Sequence, residues 1–108
     1  MSSILRYVYF WDKITYTMEL LHYKILVKGK VQGVWFRKYT KERAIELGLK
    51  GFVRNEVNND VYIEVEGAKE ILEVFIDRLY DGSPFSNVTE ILYDSGKLQN
   101  YSTFDISY

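Results

Sequence analysis

Nine consecutive residues, Gly29-Lys30-Val31-Gln32-Gly33-Val34-Trp35-Phe36-Arg37, bring together the groups that bind an oxyanion. They follow an alternating, strand-like stretch and lead into helical spacing, so the free N–H groups and the positive dipole end of a helix start converge there. Gly29 and Gly33 let the backbone curl so that successive amides point inward as a nest. Arg37, in the first helical turn, can set a planar guanidinium against phosphate oxygens. One such charge-assisted contact contributes about 1.5–3 kcal/mol. Taken alone, two glycines before a helix are at least as well read as a plain β-to-α turn with a surface arginine. No Walker signature is present, because Gly33 is followed by Val34-Trp35 and not by Lys-Ser or Lys-Thr.

Other chemistries are poorly equipped. The 108 residues contain no Cys and one His, His22, which removes disulfides, thiolate nucleophiles and zinc-thiolate sites and suits a reducing, cytoplasmic setting. Glu64 and Glu66 share one face of a strand, but without Cys and with one His they make no recognisable metal site, and a solvated face is expected. His22 has no Ser or Asp partner at an informative spacing, and Asp94-Ser95-Gly96 reads as a turn rather than a nucleophile elbow. Charge is informative where its total is not. The net charge is −1, yet residues 24–54 hold nine Lys or Arg against Glu42 and Glu46, while residues 55–108 hold three basic and eleven acidic groups. The middle third is a basic island expected to meet something anionic, although most of its charges individually suit a solvated face.

The elements that must position this segment follow from periodicity. Tyr23, Ile25 and Val27 alternate with Lys24 and Lys28, which predicts a first strand. Phe36, Tyr39, Ala44 and Leu47 recur near helical spacing before Gly48, predicting a helix over 36–47. Lys50–Asn55 and Val61–Glu66 read as strands joined by Asn58-Asn59-Asp60, with Val61, Ile63 and Val65 facing inward. Ile71, Leu72, Phe75, Ile76 and Leu79 mark a second helix over 68–80, closed by Asp81-Gly82-Ser83-Pro84. Val88–Tyr93 and Phe104–Tyr108 supply a fourth strand and a short fifth. The order βαββαβ plus a terminal strand predicts a ferredoxin-like α/β sandwich, an α+β fold with an antiparallel sheet and two helices on one face. The 18 aromatic residues help fill a core that chain length limits.

Residues 1–22 stand apart from residues 23–108. Ile4–Trp11 is apolar but interrupted by Arg6, Asp12 and Lys13, too short for a membrane span and without a small-residue cleavage site. Two readings stay open: Met18 is the true start, or the stretch is an added strand or helix covering apolar surface at a dimer contact. A monomer is otherwise expected.

The string Gly29, Val31, Gln32, Gly33, Val34, Phe36, Arg37 closely resembles the signature of the acylphosphatase family. A second block of that family, Gly-aromatic-Val-basic-Asn, is similar to Gly51-Phe52-Val53-Arg54-Asn55. The resemblance runs from about Tyr23 to Tyr108 and includes Gly82-Ser83-Pro84. It implies the same ferredoxin-like sandwich and hydrolysis of a carboxyl-phosphate anhydride to carboxylate and inorganic phosphate, with no metal or other cofactor. It also implies that Arg37 and the amides of Lys30, Val31, Gln32, Gly33, Val34, Trp35 and Phe36 hold the phosphoryl group, phosphate or sulfate being a product-like ligand. Asn55 would position the attacking water; without the motif it reads as a strand-end residue bonding its own backbone. Glu56 departs from members that carry a hydroxyl residue there. Trp35, at a variable position, covers the cradle or packs in the core. The small-molecule partner implied excludes nucleic acid and membrane. The alternatives are an RNA-recognition module, for which Tyr23 and Tyr62 would stack bases, and a catalytically idle homologue.

Overall fold

The computed structural model describes residues 4–11 and 14–108, with side chains from residue 19 onward. The remaining side chains lie outside the described residues, and with them the expectation of an apolar dimer contact near the N-terminus. Eight elements follow one another: β1 (Ile4–Trp11), β2 (Ile14–Lys30), α1 (Phe36–Glu46), β3 (Lys50–Asn55), β4 (Val61–Ala68), α2 (Lys69–Asp81), β5 (Asn87–Gly96) and β6 (Phe104–Ile106). The alternation seen at Tyr23–Lys28 is therefore the second half of a longer strand, whose first half pairs antiparallel with β1.

In the sheet, β2 pairs with β4 along one side and with β5 along the other, β3 lies beyond β4, and β6 closes the far edge. Leu20 pairs with Ile4 of β1 and with Ala68 of β4, and His22 pairs with Gly96 of β5, so β1 and β5 lie end to end against the same side of β2. The sheet is mixed rather than antiparallel throughout, because β6 runs parallel to β3. A hairpin would force reversal, but residues 97–103 cross from β5 at one side to the opposite edge and enter β6 in the direction of β3. The ends of β2, β3 and β6 consequently meet at the same end of the sheet.

One face carries the core. Tyr23, Ile25, Val27, Val53, Val61, Ile63, Val65, Ile91 and Phe104 project from the strands and meet Phe36 and Ala44 of α1 and Leu72, Phe75, Ile76 and Leu79 of α2. Each fully buried aliphatic or aromatic side chain contributes about 1.5–3 kcal/mol. The stripe of α1 is narrow: Phe36, Thr40 and Ala44, spaced four apart, are its buried residues, Tyr39 packs beside them, and apart from the exposed Ile45 the rest of the helix is polar. The broader stripe of α2 makes it the stronger anchor.

The opposite face is not uniformly solvated. Residues 97–103 lie over it, and Glu66, 7% exposed, accepts backbone N–H bonds from Gln99, Asn100 (2.9 Å) and Tyr101 (3.3 Å). His22, 1% exposed, sets Nδ1 2.7 Å from Glu66 and Nε2 2.9 Å from Glu64. Tyr62 and Tyr101 donate their hydroxyls to Glu64 at 2.7 and 3.0 Å. This corrects one expectation, since Glu64 and Glu66 do not form a solvated face; His22, without a Ser or Asp partner as expected, has these two Glu partners through β2–β4 pairing. Burial pushes the Tyr62 and Tyr101 phenols up to about 12, and the bonds to Glu64 push in the same direction. For Glu64, burial raises the pKa, but donation by the two phenols and attraction to His22 outweigh it and the net shift is downward.

Two outcomes are expected. Glu66→Ala strands three N–H groups and one face of His22, so it should cost about 3 kcal/mol or more, seen as a lowered urea midpoint at unchanged slope. A phenol raised on folding stabilises the native state fully below its ordinary value, so stability should fall between pH 10 and pH 12 as Tyr62 and Tyr101 ionise. In Glu64→Gln the two midpoints, followed by tyrosinate absorbance, should drop part of the way, since burial's share remains.

Candidate active site

The segment 31–35 links β2 to α1 at the end of the sheet where β3 and β6 also finish. At the close of β2 the register with β5 shifts between Lys28 and Gly29, and Gly29 sits at φ 126. A Cβ there would collide with the Asn87 carbonyl. Gly33, at φ 71, faces open space, and Trp35 adopts φ 64, a left-handed conformation that costs an L residue about 1–2 kcal/mol.

Three anchors hold this shape. Gln32 donates Nε2 to the carbonyls of Glu56 and Asp60, both at 2.8 Å, tying the segment to the β3–β4 turn. Lys28 pairs with Asp60 of the same turn at 2.8 Å. Ser83, buried after α2, donates its hydroxyl to the Val34 carbonyl at 2.7 Å. The start of α1 is left bare: Trp35 makes no capping hydrogen bond through its side chain, and no acidic residue occupies the first turn. Its N–H groups and dipole are therefore available to an anion.

A cleft of about 490 Å³ opens in front of this helix start, lined by Val31, Gly33, Trp35, Phe36, Arg37, Lys38, Asn55, Ile106 and Tyr108. Among the described residues no carboxylate pairs with Arg37, whose guanidinium lies 4.9 Å from the centre of the Tyr108 ring. The Asn55 Oδ1 is buried without a hydrogen-bond partner in the protein, which leaves an acceptor open to another donor. Val53 and Asn55 share the core side of β3, so Arg54 and Glu56 project from the other side. There Arg54 Nε holds Glu56 at 2.8 Å and turns that carboxylate away from the cleft.

Of the residues singled out from sequence, Val31, Gly33, Trp35, Phe36, Arg37 and Asn55 come together on the cleft wall. The side chain of Lys30 is exposed, that of Gln32 serves the anchor, and Val34 is buried with its carbonyl on Ser83. Trp35 is 73% exposed and belongs to the cleft rather than the core. Lys38 and Tyr108 were not legible as cleft residues: Lys38 follows the recognised string, and Tyr108 arrives through β6. Tyr23 is buried in the core while Tyr62 bonds Glu64 on the other face, so the two do not form one stacking platform. Among the described residues no helix is long and apolar enough to cross a membrane.

Gly29→Ala should be strongly destabilising, because the strand must part from β5 to admit a methyl group, whereas Gly33→Ala should cost only about 1–2 kcal/mol of backbone strain. Thermal unfolding of the two variants side by side would separate collision from strain; equal losses would contradict this account of the turn.

Known proteins resemble the chain in sequence and in fold. The sequence model of the acylphosphatase family matches residues 23–106. An acylphosphatase of Bacillus licheniformis is 41% identical over 90 residues, covering 82% of this chain and 100% of that protein. One from Dehalococcoides mccartyi is 45% identical over 87 residues, covering 79% of this chain and 96% of its own length. The crystal structure of acylphosphatase from Bacillus subtilis superposes with a TM-score of 0.80 at 38% identity, covering 82% of this chain and 99% of that one.

Proposed function

The chain belongs to the acylphosphatase family, and we propose that it hydrolyses acyl phosphates in the cleft between α1, β3 and β6. The observation that carries the reading is the meeting, in that cleft, of an arginine that has no carboxylate partner among the described residues and an asparagine whose buried carbonyl oxygen lacks a donor among them. Water attacks phosphorus, the bond from phosphorus to the acyl oxygen breaks, and the products are a carboxylate and inorganic phosphate. Arg37 and the amides of the 30–36 segment hold the phosphoryl oxygens. They stabilise charge through groups already fixed by Gln32 and Ser83, so no reorganisation is needed during reaction.

Asn55 accepts a hydrogen bond from the attacking water through Oδ1. An amide is a weak base, but a carboxylate is a good leaving group and the substrate phosphate can take the proton, so positioning is sufficient. The reaction needs no metal, the work of charge stabilisation falling to Arg37 and the helix start. Neither does it require Glu56, which Arg54 neutralises on the far side of β3.

With EDTA present throughout, the wild type should hydrolyse benzoyl phosphate, and Arg37→Ala and Asn55→Ala should each lose on the order of 100-fold or more in kcat/KM. Arg37→Ala should also weaken competitive inhibition by inorganic phosphate, whereas Asn55→Ala should act mainly on kcat. Full activity in either variant would overturn the assignment, and an inert but folded wild type would favour an idle homologue.

A further inference from the structure

The cleft is larger than its phosphoryl load. At about 490 Å³ this open cleft has the volume of a small-molecule site, so it has room for the acyl part of a substrate beside the phosphoryl group. Those walls are specific. The left-handed backbone at Trp35 turns the indole outward, where it is 73% exposed, and Lys38 sets Nζ 5.7 Å from the centre of an indole ring. A cation over an aromatic face is attracted by the ring quadrupole, modestly where both groups are exposed as here. Among the described residues no acidic side chain lines the cleft and no carboxylate pairs with Lys38. The site thus has two uncompensated cations, of which the proposed reaction uses one.

We propose that Lys38, resting on Trp35, determines specificity in an acyl-group subsite, and that the favoured substrates are acyl phosphates whose acyl part carries a second anionic group. The inference rests on the reaction assigned to the cleft and names its substrate class. Arg37 grips the phosphoryl group, and the acyl chain leaves it along the indole. A carboxylate or phosphate at its far end then meets the Lys38 ammonium. Trp35 supplies an apolar wall for the carbons between the two charges. The contact is the same in ground state and transition state, so it lowers KM rather than raising kcat.

The test compares 4-carboxybenzoyl phosphate with 4-methylbenzoyl phosphate, matched in shape and differing in the distal charge. Lys38→Gln should lower kcat/KM for the carboxylated substrate about 5- to 10-fold more than for the methyl one, through KM. Lys38→Arg should retain the preference, and added salt should shrink it in the wild type. Equal losses on both substrates would make Lys38 a phosphoryl ligand and overturn the subsite, as would no loss on either. Failure of the wild type to turn over both would instead overturn the reaction itself, and the subsite with it.

Discussion

The structure depends on holding the backbone of residues 31–35 in a shape that it would not keep alone. Gly33 and Trp35 are left-handed, and the helix that follows begins without a cap. Each feature costs free energy, and together they expose the amides that make the segment useful. The offset comes from elsewhere in the fold: Gln32 on the β3–β4 turn, Ser83 after α2, and Val31, Val34 and Phe36 buried in the core. The anchors come from distant parts of the chain, so the segment is rigid only when the whole domain is folded. Strain concentrated at an exposed aromatic residue beside a bare helix start is where function is expected.

Topology brings the remaining groups to that segment. Since β2 and β3 flank β4, both run the same way, and β6 joins them by entering parallel to β3. Asn55, Ile106 and Tyr108 therefore arrive at the end where β2 gives way to α1. The crossing that makes β6 parallel is held down by Glu66, whose carboxylate gathers three backbone N–H groups while facing His22. A buried polar cluster on the open face thus supports the placement of a cleft wall on the other end of the same segment. Buried ionic groups are costly to assemble and more costly to leave incomplete, which fits a role in specifying one path for this loop.

Charge is sorted by the same geometry. Three of the nine cations in residues 24–54 are held by local partners, Lys28 by Asp60, Arg43 by Glu46 and Arg54 by Glu56. Of the others, Arg37 and Lys38 line the cleft, adjacent on the first turn of α1. Their local field adds to that of the helix start; Arg37 is partly buried and so less screened than a side chain on the open surface, while Lys38 is exposed.

Sequence alone determined the element order from Tyr23 onward, the inward rows Tyr23-Ile25-Val27 and Val61-Ile63-Val65, and the string from Gly29 to Arg37 with Asn55 downstream. These were legible because side-chain direction repeats every two residues in a strand and every three to four in a helix, and because the backbone freedom of glycine acts locally. Other features were decided only in three dimensions. His22 meets Glu66 across 44 positions of sequence, Tyr108 reaches Arg37 through a parallel strand, and Glu56 turns away from the cleft because alternation on β3 puts it beside Arg54. Spacing says which way a side chain points from its own element. Which partner waits there depends on the neighbouring strand and on the path of the loop between them, and only the folded chain settles both.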